Sequence, residues 1–162
     1  MSVFEYNFEQ YKSLSPDLYR KEKYNLQVEL LKLQEDVIKK KRKIAICFEG
    51  RDTAGKSSTI NFFSEHLIPS NFNYVHLGIP TKKERKNWFE RYETYLPNKG
   101  QIVLFDRSWY TRALTEPTLG YCSKKQYEEF MTKVNKWEKS LVKKGTELVK
   151  FYFSIDIEKL YL

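Results

Sequence analysis

The chain is poor in the residues that build metal clusters and covalent cross-links, with two cysteines and two histidines among 162 residues. Cys47 and Cys122 lie far apart and match no metal-ligand spacing, which leaves no basis for a zinc site or a disulfide framework. Cys47 sits in an apolar run, where a thiol behaves as a small hydrophobe. Both are expected to be free thiols in a reducing compartment. His66 and His76 have no Cys, His or Asp partner at a useful spacing and receive no role. No apolar run approaches the ~20 residues of a membrane-spanning helix. Glu5 and Glu9 stand among aromatics where a secretory leader would carry an apolar segment. Internal repeats and low-complexity linkers are also missing. A cytoplasmic setting with no membrane partner is the expectation.

What the chain does have is a globular composition, 41% hydrophobic and 16% aromatic, with a formal net charge of +8 and a pI near 9.3. Such a balance favours polyanionic partners, either nucleic acid, an anionic membrane surface or phosphate-rich small molecules. A solvated lysine face would account for the charge equally well. No nucleic-acid recognition motif accompanies the lysines, so nucleic acid is not expected as a partner.

Hydrophobic periodicity divides the chain into residues 1–43, an N-terminal arm and amphipathic helix, and 44–162, the core. Met1 to about Pro16 has no clear period and reads as a lead-in arm. Leu26, Leu30, Leu33 and Val37 recur at steps of four and three, predicting a helix over Asp17–Lys41 with those residues on one face. The lysines that follow suit the negative end of a helix. Ile44–Phe48, Tyr74–Leu77, Ile102–Phe105 and Leu148–Phe153 are short continuous apolar runs, as in strands buried on both faces. Helical stretches predicted at Lys56–Leu67, Lys83–Leu96 and Ser123–Lys144 separate them. Within these, Trp88, Tyr92 and Tyr95 repeat at helical spacing and are expected in the core. Strand–helix–strand alternation implies right-handed crossovers and an α/β fold with a mostly parallel sheet.

Directly after the first strand comes Gly50-Arg51-Asp52-Thr53-Ala54-Gly55-Lys56-Ser57, which satisfies the phosphate-loop pattern G-x-x-x-x-G-K-[ST] at every fixed position. Glycines let backbone N–H groups close around a phosphate. Lys56 can reach phosphate oxygens, while Ser57 can ligate Mg²⁺ and open a helix whose positive end faces the anion. The strand Ile102–Phe105 ends in Asp106, as a Walker B element does, and places a carboxylate where it could hold the metal. A helix cap for Ser108 is the alternative. Asp52 inside the loop would repel phosphate unless Mg²⁺ bridges Asp52 and Asp106; a turn-forming aspartate is the alternative there. Arg107 and Arg112 suit phosphate through the planar guanidinium fork, with salt bridging as the competing role.

Phe48-Glu49-Gly50-Arg51-Asp52-Thr53-Ala54-Gly55-Lys56 and Leu104-Phe105-Asp106-Arg107-Ser108-Trp109-Tyr110-Thr111-Arg112-Ala113 closely resemble the two signatures of the polyphosphate kinase 2 family. The likeness extends to Leu30-Leu31-Lys32-Leu33-Gln34, Glu65-His66-Leu67, Pro80-Thr81, Arg91-Tyr92, Leu96-Pro97 and the stretch from Tyr127 to Phe130. It runs from about Leu26 to Ser154. The resemblance implies a P-loop NTPase-like three-layer kinase fold, preceded by the N-terminal helix. It also implies Mg²⁺-dependent phosphoryl transfer between inorganic polyphosphate and ADP, GDP or AMP, with ATP or GTP as donor in reverse. Carried over by position, Asp52, Lys56, Asp106 and Arg112 would be catalytic, with Asp52, Asp106 and Ser57 at the metal. Gly50 to Ser57 and Arg107 would hold phosphate, and Arg112 would sit near the transferred group. The Asp-Arg-Ser-Trp-Tyr form points to the diphosphate-accepting branch.

Two departures stand out: Ile79 where the family has Lys before Pro-Thr, and Ser70 where it has Arg. The family pattern also continues into an arginine-bearing lid, whereas this sequence ends at Leu162, so the lid part is expected to be missing. Uncovered apolar surface and a homo-oligomer are the corresponding expectations. A binding remnant without turnover and another P-loop nucleotide kinase are the alternatives. The Trp109-Tyr110 segment and the Asp in the loop speak against the last.

Overall fold

A computed structural model describes residues 14–154; the lead-in arm up to residue 13 lies outside them. The first helix, α1 (Pro16–Lys39), starts where Ser15 Oγ accepts the Leu18 N–H at 3.2 Å and Pro16 supplies a pre-set first turn. It ends at Lys40. Then follow β1 (Lys43–Gly50), α2 (Lys56–Ser64), a single 3₁₀ turn, and β2 (Phe72–Val75). Two short helices, α3 (Lys82–Lys86) and α4 (Glu90–Glu93), lead to β3 (Gln101–Asp106). The chain continues through α5 (Thr111–Leu114) and α6 (Lys124–Lys143) to β4 (Thr146–Phe153).

The four strands form one sheet in the order β2-β3-β1-β4, and every pair is parallel. Residue parity sorts the apolar runs into two cores. Ile44, Ile46 and Phe48 of β1, with Ile102 and Leu104 of β3, pack against Val37 of α1 and Ile60 of α2. Ala45, Cys47, Val103 and Phe105 face Trp88, Tyr92, Trp109 and the α6 residues Phe130 and Val134. Helices on both faces of a parallel sheet make the expected three layers. Phe48 is fully buried and stacks on Phe151 and Phe153 of the neighbouring strand; truncating a phenylalanine in such a place costs about 3–5 kcal/mol.

Two elements differ from the periodicity reading. On α1 the expected stripe is only half buried: Leu26 is 64% exposed, while Gln27, Gln34 and Val37 are buried. The Gln34 amide explains the rotation, because it donates to Ile68 O at 3.0 Å and accepts the Ile68 N–H at 2.7 Å. A buried amide satisfied at both ends anchors the helix as firmly as a leucine would. The predicted helix Lys83–Leu96 is broken between α3 and α4. A capping box of Thr81 and Glu84 starts α3, and Asn87 leaves the helical region at φ −111°, ψ 61°. That break delivers Trp88 to the core, where its indole N–H donates to Trp109 O at 2.9 Å. Tyr92 is buried beside it, but Tyr95 is exposed.

The end of β1 sets a hard constraint. Gly50 has φ +134°, and a Cβ there would lie 2.2 Å from the Phe153 carbonyl oxygen, a backbone atom that cannot step aside. Gly55 also has positive φ, +89°, but nothing within 4 Å of an added Cβ. Gly50→Ala is therefore expected to lose more than about 3 kcal/mol of stability and Gly55→Ala about 1–2 kcal/mol. Urea denaturation of both variants measures the difference; equal losses would contradict the close β1–β4 approach.

Candidate active site

Parallel register brings the functional ends of the strands together. β1 and β3 align Phe48 with Asp106, so the phosphate loop leaving β1 and the carboxylate ending β3 sit side by side. From Gly50 the loop turns through Thr53, at φ +63°, and Gly55 before α2 begins at Lys56. Left-handed residues of this kind build the concave amide nests that hold anions. For a β-branched threonine the conformation costs about 1–3 kcal/mol, strain that a phosphate loop retains for its shape.

Lys56 is buried, and its ammonium donates to the carbonyls of Gly50, at 3.1 Å, and Arg51. Burial, reinforced by the Arg107 cation, holds the ammonium below the ordinary lysine range. Ser57 Oγ lies 3.4 Å from Asp106 Oδ2. The loop, Lys56, Ser57, Asp106 and Arg107 wall a cavity of about 310 Å³ that opens to solvent at the strand ends. Asp52 lines it as well, with its side chain 89% exposed and paired with the Arg107 guanidinium. Arg107 also donates to Thr115 Oγ1 at 3.0 Å. Arg51, Asp52 and Arg107 border a second, adjoining cavity of about 520 Å³.

The structure does not bring Arg112 to this place. It is 1% exposed, with its guanidinium 3.9 Å above the Trp88 ring, 3.1 Å from Glu116 Oε2 and donating to Arg85 O. Arg112 and Glu116 stand one helical turn apart, so the buried cation carries its own counter-charge. It lines a separate cavity with Arg85, Lys86 and Trp88.

Three residues without an expected role join the site. Tyr74 donates its hydroxyl to Asp106 Oδ2 at 2.9 Å, and His76 Nδ1 lies 3.6 Å from the same oxygen. Burial and the Asp106 carboxylate push the Tyr74 phenol up to about 12. The register Val75↔Phe105 puts both residues next to the end of β3. Glu49, buried at the end of β1, accepts hydrogen bonds from Ser108 N–H and Oγ, each 2.6 Å long. These bonds, with Arg107 N–H donating to Phe48 O at 3.0 Å, secure the turn after Asp106, where Arg107 sits at φ +62°. A lone acid in an apolar strand was the available signal for Glu49. Tyr74 and His76 gave none, because strand order is invisible in a single sequence.

The geometry can be set beside known proteins. The family model described as polyphosphate kinase 2 matches residues 13–160. The chain belongs to the polyphosphate kinase 2 family. It is 47% identical over 138 residues to a GDP-polyphosphate phosphotransferase of Mycolicibacterium smegmatis, covering 85% of this chain and 49% of that protein. It is 43% identical over 150 residues to an ADP-polyphosphate phosphotransferase of Pseudomonas aeruginosa, covering 92% and 49%. Among solved structures, a Pseudomonas aeruginosa PA01 protein assigned to polyphosphate kinase 2 superposes with a TM-score of 0.84 at 30% identity, over 93% of this chain and 33% of that one. The fold also matches polyphosphate kinase 2 from Arthrobacter aurescens TC1, with a TM-score of 0.83 at 21% identity. The chain spans about half the length of these two curated family members.

Burial dominates the Glu49 environment and raises its carboxyl above the ordinary value of 4.5, against the opposing hydrogen bonds from Ser108. The folded protein then holds this proton to higher pH than the unfolded chain does, so ionising Glu49 costs stability as pH rises past 4.5. Relative to Glu49→Gln, the wild type is expected to lose stability as pH is raised from mildly acidic to neutral. Urea midpoints across that range measure it; a gap that does not vary with pH would contradict the raised carboxyl.

Proposed function

We propose that the protein transfers phosphoryl groups between inorganic polyphosphate and a nucleoside diphosphate, with Mg²⁺ as cofactor. The observation that carries this reading is the convergence of the phosphate loop, Lys56, Ser57 and Asp106 on one open cavity. Relatives named for GDP and ADP support the diphosphate over the monophosphate as acceptor. A cytoplasmic setting belongs to the same reading, supported by two cysteines that form no disulfide.

The residues fit the cofactor. Mg²⁺ binds through one or two carboxylates, keeps water, and takes further oxygens from substrate phosphates. Asp106 offers a carboxylate and Ser57 a hydroxyl, with Asp52 on the rim of the same cavity. Among the described residues no group of three or more His, Cys, Asp and Glu side chains could hold an ion by itself, as suits an ion that arrives with phosphate. Bound there, Mg²⁺ would neutralise charge on the phosphate oxygens.

The chain's own groups position and neutralise, which is most of what phosphoryl transfer requires. The loop amides cradle the phosphate. Lys56, already anchored inside the loop, exchanges carbonyl partners for phosphate oxygens and brings a positive charge at little conformational cost. Tyr74 holds Asp106 in one orientation. Arg107 closes the far side of the cavity, where its pairing with Asp52 keeps the fork within reach of the ligand. Arg112 stands apart from this machinery, stacked on the Trp88 ring.

Purified protein incubated with Mg²⁺, polyphosphate and each nucleoside diphosphate is expected to form the triphosphate, with Asp106→Asn and Lys56→Ala each lowering turnover by about 10²-fold or more. Both variants should remain folded and melt cooperatively, since neither side chain belongs to the two apolar cores. Chromatographic separation of the nucleotides follows the product. Turnover by Asp106→Asn at the wild-type rate under limiting Mg²⁺ would exclude the metal role.

A further inference from the structure

We infer that His76 is a nitrogen donor to the cation held at Asp106, so that first-row transition ions such as Mn²⁺ gain a ligand at this phosphate site that Mg²⁺ makes little use of. The inference rests on the metal reading above and adds to it a ligand for transition ions. His76 Nδ1 and Asp106 Oδ2 face each other at 3.6 Å across the mouth of the phosphate cavity, and both line it. That separation is too long for a hydrogen bond. It lies within the span of two donors that each approach one small cation to about 2.1 Å. The imidazole is half exposed, with its side chain 52% accessible, while the carboxylate beneath it is buried. A ring at that depth can turn toward an ion without disturbing the core.

The surrounding groups agree with this role. The Asp106 oxygen nearest the imidazole is held from another side by the Tyr74 hydroxyl at 2.9 Å. An outer hydrogen bond that fixes a ligating carboxylate is the usual support of a metal site. The placement follows from backbone register: Val75, the last residue of β2, pairs with Phe105, so His76, the first residue after the strand, comes level with Asp106. Mg²⁺ takes oxygen donors almost alone, whereas an imidazole nitrogen strengthens binding of first-row transition ions. One nitrogen added to an oxygen set therefore tightens the binding of Mn²⁺ more than that of Mg²⁺, without changing where the phosphate lies.

The test needs no turnover. Mn²⁺ is titrated into the full chain, with and without inorganic tripolyphosphate, and the free ion is followed by electron paramagnetic resonance. Pulsed measurements on the bound ion detect coupling to ¹⁴N, replaced by ¹⁵N after labelling with ¹⁵N-histidine. The wild type is expected to show the histidine coupling. His76→Ala should lose it and bind Mn²⁺ about tenfold or more weakly, while Mg²⁺ affinity, measured by competition, changes less than about twofold. A wild type without nitrogen coupling, or a His76→Ala variant with unchanged Mn²⁺ affinity, overturns the proposal. Asp106→Asn separates the two levels of the argument. If it loses both ions while His76→Ala binds Mn²⁺ normally, the metal site stands and the histidine role falls. If it binds both ions as the wild type does, the metal reading itself falls. Should His76→Ala fail to fold, the labelled wild-type spectrum decides alone.

Discussion

The parallel pairing of β1 with β3 is the constraint on which the site depends. Six register pairs, from Lys43↔Gln101 to Phe48↔Asp106, end both strands at the same level of the sheet. Only then do the loop after Gly50 and the carboxylate of Asp106 open on one cavity. A slip of one residue would send Asp106 to the other face and expose the apolar set of β3. The pairing is secured from both sides of the sheet, by Phe48 against the aromatics of β4 and by Phe105 against Tyr92 and Trp109. The Glu49–Ser108 hydrogen bonds then tie the two strand ends across the top. The hydrophobic cores set the register, and the register assembles the chemistry.

Most of the architecture was legible because the strands advertise themselves as short apolar runs, but only the central β1 and β3 are buried on both faces, while the edge strands β2 and β4 are half exposed. All four strands and α1, α2 and α6 appear where the runs and periods place them, within a few residues at their ends. The phosphate loop and Asp106 were legible for a different reason. Their chemistry needs fixed residue types at fixed spacing along the chain, next to the end of a strand.

What stayed hidden depends on contacts between distant segments. Gln34 reads as a polar interruption of an amphipathic helix, yet it is buried because the Ile68 backbone offers both a donor and an acceptor. Arg112 follows the Walker B strand as a phosphate-binding arginine would. Glu116, one turn later, and the Trp88 face draw it into the interior instead. His76 and Tyr74 become neighbours of Asp106 only once β2 is known to lie beside β3. Charge and periodicity rank residues one at a time, and these four are decided by partners 4 to 34 positions away.

The central claim is that the loop after β1, through Lys56, is where phosphate binds. Calorimetric titration of polyphosphate into the wild type and Lys56→Ala, at two salt concentrations and with and without Mg²⁺, tests it most directly. Binding to the wild type should respond to Mg²⁺ and weaken as salt rises, as screening of a charged ligand requires. Lys56→Ala should bind much more weakly under every condition. Equal binding by the two proteins would place the polyphosphate on the general lysine surface and contradict the account.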